Sequence, residues 1–143
     1  MIMMASFSRR FGVGVAAMLA LFIVTPVAAQ GPDYDAVVFF DWGKLELSRD
    51  ATGTLDKLVE RLAAESAREL QLDGYSDRSG PESVNRRISQ QRVALVRDYL
   101  VGKGIAEMRI RMSGHGEQQV LIPTEDGVRE VQNRRVEIRI VGE

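Results

Sequence analysis

The sequence predicts an α/β (α+β) fold: a two-layer βαβαββ sandwich with the helices packed on one face of a small mixed sheet. Three observations carry this. Two stretches place apolar residues at helical spacing behind recognisable start signals. Four stretches are strand-like, by apolar β-branched and aromatic composition or by period-two alternation. Their order is strand, helix, strand, helix, strand, strand, and the βαβ crossovers are expected to be right-handed.

The first elements follow the N-terminus. Residues 1–29 comprise a short start ending in Arg9 and Arg10, an uncharged apolar run (FGVGVAAMLALFIV), and Val27 and Ala29 at the small positions that a signal peptidase reads. This is the layout of a secretory signal peptide with cleavage after Ala29. The alternative is an uncleaved span, for which the run is short against the roughly 20 apolar residues a membrane helix needs. Residues 30–36 read as a short leader and 37–143 as the domain. VVFF at 37–40 is a buried strand. The next stretch is helical, with Ser48 as cap, Asp50 in the first turn, and Leu55, Leu58, Val59, Leu62 and Ala63 as its core stripe. Gly53 is a mild misfit there.

ELQLDGY at 69–75 alternates and is a strand, and SDRSG is a turn. Pro81 suits the first position of a second helix running to about Val101, with Gly102 as its C-terminal cap. Residues 105–113 carry another strand. GHGEQQVLIPTEDGVREVQN is a long polar connection. The last strand is RRVEIRIV, whose Val136, Ile138 and Ile140 alternate with charged residues, so that one side of the sheet is expected to be wet.

Composition narrows the function. Without residues 1–29, 17 basic residues face 20 acidic ones, a net charge of −3. Nucleic acid is not an expected partner, because it calls for a strongly basic surface. The chain has no cysteine, hence no disulfide framework, no thiol nucleophile and no lipid-bearing cysteine. His115 is the only histidine, and a lone histidine is poor metal-ligand evidence. Neither a metal nor a cofactor is expected.

Within DGYSDRSGPESVNRRISQQR, Asp77 leaves a strand at its C-terminal end, where ligands commonly sit in open α/β sheets. Asn85, Ser89 and Arg92 fall on one stripe of the following helix. Beside them Val84, Ile88, Leu95, Val96 and Tyr99 form an apolar stripe for the sheet, which puts the polar stripe at the rim of the core. Asp41 would open toward the same edge if the first two strands run parallel. Spacing alone leaves two readings. Asp77 and Arg92 pair with each other or with water, or they flank a cleft for a zwitterion: the acid for an ammonium, the guanidinium for a carboxylate.

VVFFDWGKLELS, DGYSDRSGPESVNRRISQQRVALVRDYL, GIAEMRIRMSGHGE and NRRVEI resemble, in order, the blocks of the OmpA-like C-terminal domain family. Its central pattern, N-x2-L-S-x2-R-A-x2-V-x3-L, is matched by Asn85, Ile88, Ser89, Arg92, Val93, Val96 and Leu100. The resemblance spans about residues 37–141. It implies a non-covalent peptidoglycan-binding module that recognises diaminopimelate and contributes to outer-membrane integrity. Asp77 would bind the ammonium and Arg92 the carboxylate, with Asp41, Asn85 and the start of the second helix lining the pocket. It further implies an exported protein of the periplasm, associated with the outer membrane, with other envelope proteins as further partners and no catalysis. Departures are Tyr75 for histidine, Val84 for tyrosine, Ile88 and Val93 for leucine and alanine, and Val120 and Val131 where proline is frequent.

Two other functions compete with this one. A wall hydrolase would need Asp41 and Asp77 as a carboxylate pair, yet Arg92 nearby would keep Asp77 ionised. A membrane-tethered wall anchor would keep residues 11–29 as a span, and that run has no acid to carry ions. Trp42 is expected to pack at the rim or stack on a ligand. Asn133, Arg134, Arg135 and Glu137 are read as structural groups of strand ends and turns.

Overall fold

The computed structural model describes residues 33–64 and 68–142. The expected signal peptide, its cleavage point and the first three residues of the leader (30–32) lie outside the described residues. β1 (Ala36–Phe39), α1 (Arg49–Ala63), β2 (Glu69–Tyr75), α2 (Glu82–Gly102), β3 (Ile110–Gly116) and β4 (Arg135–Val141) follow in that order. The sheet order is β1-β4-β2-β3. β4 is antiparallel to both β1 and β2, and β2 is parallel to β3. The sheet is therefore mixed, as expected, and the last strand of the chain lies in its middle.

Insertion of β4 has a consequence for the site. β1 and β2 both run antiparallel to β4, so they point the same way. Their C-terminal ends, the C-terminal end of β3 and the N-terminal end of β4 all meet at one edge. Asp41 thus reaches the same edge as Asp77, and so does Arg134, which lies just ahead of β4.

The core lies between the sheet and the two helices. Val38, Phe40, Leu70, Leu72, Val136 and Ile138 face Leu55, Leu58, Leu62, Val93, Val96 and Leu100. Burying each such side chain contributes about 1.5–3 kcal/mol before the cost of ordering it. α1 begins as its sequence dictates: the Ser48 hydroxyl accepts from the Ala51 amide at 3.1 Å. Its buried face is Ala51, Leu55, Leu58 and Leu62, with Val59 partly buried and Ala63 exposed.

α2 departs from the expected placement in three ways. Pro81 caps the helix from outside its first turn, its carbonyl accepting from the Val84 and Asn85 amides. The helix continues through Gly102, and the chain turns away at Gly104, with φ of +99°. The third difference concerns the buried face. It consists of Asn85, Ser89, Arg92, Val93, Val96 and Leu100, whereas Val84, Ile88, Leu95 and Tyr99 are only half-buried. The polar stripe is thus under the helix, not at the rim.

Glycines in the sheet explain this rotation. A Cβ on Gly74 would lie 2.4 Å from Val93 Cγ2 and 2.5 Å from the Ser89 carbonyl oxygen. One on Gly114 would lie 2.4 Å from Gln90 Cγ, and one on Gly116 3.0 Å from Arg86 Cα. The helix therefore rests almost backbone to backbone on β2 and β3. The Ser89 hydroxyl fastens the contact, donating to the Arg86 carbonyl and accepting from the Gly116 amide at 2.9 Å. With no room for large side chains there, the buried face of the first turns must be polar or small.

The opposite sheet face is less wet than the alternation suggests. Asp73 is buried between Arg139, at 2.7 Å, and His115 Nε2, at 2.8 Å. The His115 ring stacks on Tyr75, and the Arg135 guanidinium lies 4.1 Å from the Tyr75 ring centroid. His115 is thus a strand residue in a packed ionic layer.

Candidate binding site

At the shared edge a cavity of about 140 Å³ is lined by Trp42, Gly43, Ser76, Asp77, Ser79, Gly80, Val84, Asn85, Ile88, Arg92 and Arg134. Three of the four expected site residues, Asp77, Asn85 and Arg92, come together there. Asp77 reaches the cavity from just beyond the end of β2, Asn85 from the first turn of α2, and Arg92 from two turns further along the same helix.

Asp77 is 3% exposed and its carboxylate is fully engaged. Oδ1 accepts from the Ser79 hydroxyl at 2.6 Å and the Ser79 amide at 3.2 Å. Oδ2 accepts from Arg134 Nη1 at 2.8 Å and the Glu130 amide at 3.1 Å. Burial works to raise its pKa, but these donors outweigh burial and hold the carboxyl below the ordinary range. Its ion-pair partner is Arg134, not Arg92.

Arg92 is 2% exposed and, among the described residues, has no carboxylate within ion-pairing distance. Its one hydrogen bond is a long one, Nη2 to the Asp41 carbonyl oxygen at 3.4 Å. Nε is buried with no partner among the described residues, and the guanidinium lies 5.2 Å from the Phe40 ring centroid. Burial, reinforced by the Arg134 charge and opposed by Asp77, pushes its pKa down to about 10. It stays protonated at neutral pH. The site therefore holds two buried guanidiniums and one carboxylate, with the carboxylate committed to Arg134.

Asn85 is fixed by its own amide, which donates to the Gly80 carbonyl at 2.8 Å and to Glu117 at 2.6 Å. Asp41 is at the expected edge but contributes differently. Its carboxylate is two-thirds exposed, pairs with Lys44 at 3.4 Å, and does not line the cavity. Only its backbone carbonyl reaches Arg92. Asp41 and Asp77 therefore face no common space, which removes the geometry a carboxylate pair would need.

Sequence reasoning missed Arg134 as a site residue, taking it for a strand-end group. The ion pair it makes is structural, as expected, but its position in the cavity wall is not evident from a residue 57 positions away. The signal that was available is the NRR stretch directly ahead of an antiparallel last strand. Trp42 packs at the rim: half-exposed, its indole N–H donates to the Ser79 hydroxyl at 3.1 Å and Arg129 stacks over its ring at 3.5 Å. The connection before β4 is pinned here. Gly127 donates to the Arg78 carbonyl, Arg78 donates to the Thr124 carbonyl and pairs with Asp126, and Asn133 brackets Ile122 through both its amide nitrogen and oxygen.

Fold and site together define a small α+β domain with a cationic cleft at one sheet edge. The chain belongs to the OmpA family, whose model matches residues 39–134. It is 34% identical over 117 residues to outer membrane protein A of Bordetella avium, covering 82% of this chain and 60% of that protein. It is 31% identical over 98 residues to the peptidoglycan-associated lipoprotein of Rhizobium meliloti (strain 1021), covering 68% of this chain and 56% of that protein. The chain thus spans little more than half the length of either relative. The crystal structure of the peptidoglycan-associated lipoprotein from Burkholderia pseudomallei superposes with a TM-score of 0.69 at 21% identity, over 74% of this chain and 90% of that one. That likeness concerns the fold. Among the described residues, no helix is long and apolar enough to cross a membrane.

Proposed function

We propose that this chain is a non-covalent peptidoglycan-binding module of the cell envelope, acting in the periplasm or at the outer membrane. Its cavity takes the zwitterionic end of diaminopimelate in the stem peptide. The observation that carries this reading is the surplus buried guanidinium of Arg92, which has an orphan Nε and no acidic partner beside an open cavity. A buried charge without a counter-ion is costly, and a ligand carboxylate supplies the missing partner through paired hydrogen bonds. The ligand ammonium approaches Asp77 Oδ1, taking the place of the Ser79 hydroxyl, the one hydroxyl among the four donors to that carboxylate. Asn85 and the start of α2 shape the wall, and the Asp41 carbonyl orients Arg92. Family membership and the peptidoglycan-associated relative support the wall as the polymer bound. The role is binding, with no catalysis.

The test is co-sedimentation of the purified protein with cell-wall sacculi containing diaminopimelate. The parent is expected to pellet with the sacculi, and Arg92→Met, folded by circular dichroism, to stay in solution. A folded Arg92→Met protein that pellets as the parent does would overturn the assignment.

A further inference from the structure

Arg129 is a third guanidinium beside this cavity, exposed at its mouth. Its guanidinium lies 3.5 Å over the ring of Trp42, a cavity-lining residue. The amide of the next residue, Glu130, is bonded to Asp77 Oδ2, so the backbone at this point is tied to the cavity wall. Trp42 is itself held by Ser79, and Ser79 by Asp77. The chain Arg129–Trp42–Ser79–Asp77 thus joins the exposed cation to the buried site.

Stacking uses the face of a guanidinium and leaves its N–H edge free to donate. Among the described residues no carboxylate lies within ion-pairing distance of Arg129. Three acids of this region have other partners: Asp126 pairs with Arg78, Glu130 accepts from the Gln132 amide, and Asp41 pairs with Lys44. Around the cavity the guanidiniums of Arg92, Arg134 and Arg129 outnumber the two carboxylates, that of Asp77 and that of Glu117, which accepts from Asn85. A zwitterionic head group is neutral and leaves that positive excess in place.

We infer that Arg129, stacked on Trp42, forms a second carboxylate subsite at the cavity mouth. The preferred ligand then carries a free carboxylate on the residue adjoining its zwitterionic end. This rests on the reading of the cavity as a diaminopimelate site. It predicts that the domain discriminates between wall chemistries in which that neighbouring carboxylate is free and those in which it is amidated.

The probes are the tripeptide L-alanyl-γ-D-glutamyl-meso-diaminopimelate and the same peptide with the glutamate α-carboxylate amidated, titrated calorimetrically into the protein. The wild type is expected to bind the free acid roughly three- to fivefold more tightly, as suits an exposed ion pair, with the ratio shrinking as salt rises. Arg129→Gln brings the ratio to unity without weakening the amide form, and Arg129→Lys retains part of it. If the wild type binds both forms equally, or Arg129→Gln leaves the ratio unchanged while Arg92→Met abolishes binding of both, the subsite is wrong and the cavity assignment stands. If the wild type binds neither form, both fall together.

Discussion

Asp77 and Arg134 stand 57 positions apart in the chain and share a 2.8 Å ion pair in which both side chains are almost inaccessible to water. This pairing makes Arg92 the surplus charge. Without Arg134 at this edge, Asp77 and Arg92 would be left as one acid and one base, and the site would be internally neutral. Because β4 delivers Arg134 to the same edge, the acid is spoken for and a second guanidinium is left facing the cavity.

Breaking that pair should be expensive. Asp77→Asn preserves shape but leaves Arg134 charged, buried and without its counter-ion, a change that typically costs about 3–5 kcal/mol. Urea unfolding should show this as a lower midpoint with unchanged slope. Arg134→Met should be comparably harmful, and the double variant should cost clearly less than the two single effects combined. Simple additivity would mean that the two residues are not energetically coupled.

Arg92 should behave in the opposite way. The unliganded fold gains little from a buried guanidinium with one long hydrogen bond, so Arg92→Met is expected to leave stability unchanged or raise it by about 1 kcal/mol. Thermal melts read the stability, and sacculus pelleting reads the lost binding. A fall in melting temperature of many degrees would show that Arg92 is structural after all.

The close seat of α2 yields a contrasting pair of glycine variants. Gly74→Ala forces a methyl group against Ser89 backbone and Val93, and should destabilise by about 1–3 kcal/mol. It should also displace Ser89 and Arg92 and so weaken wall binding. Gly53→Ala, in α1 with nothing within 4 Å of the added Cβ, should stabilise by about 0.5–1 kcal/mol through helix propensity alone. Equal effects at the two positions would contradict the backbone-to-backbone packing of α2.

The pH dependence follows from the two perturbed groups. Asp77 titrates below its unfolded value in the folded state. Its stabilising contribution is therefore complete above about pH 4 and is lost as pH falls through the folded value. Arg92 is also lowered, from the ordinary guanidinium range to about 10. For a base that sign is reversed: the folded state resists the charged form, so this group's penalty is present below about pH 10 and is relieved between there and its unfolded value. Wall binding should accordingly be flat from about pH 5 to 9 and decline near 10 as Arg92 loses its proton. Pelleting across that range at constant ionic strength is the check, and a midpoint near neutral pH would contradict the role given to Arg92.

Much of this was legible in the order of residues. The alternation of Leu70 and Leu72 and of Val136, Ile138 and Ile140 set the strands. Ser48 set the start of α1, and the spacing of Asn85, Ser89 and Arg92 set one helical face. These are local properties: capping and periodicity depend on neighbours within a turn or two. The rotation of α2 was not legible, because it depends on three glycines of two other strands that admit the helix backbone. Nor was the partner of Asp77, since the middle position of β4 is decided by which strand edges remain free once the others have paired. The residue types of the site are therefore written in the sequence, whereas the assignment of Arg134 to Asp77, and with it the unspent charge of Arg92, belongs to the tertiary structure, because an ion pair across 57 residues exists only when the sheet order brings its two ends to one edge.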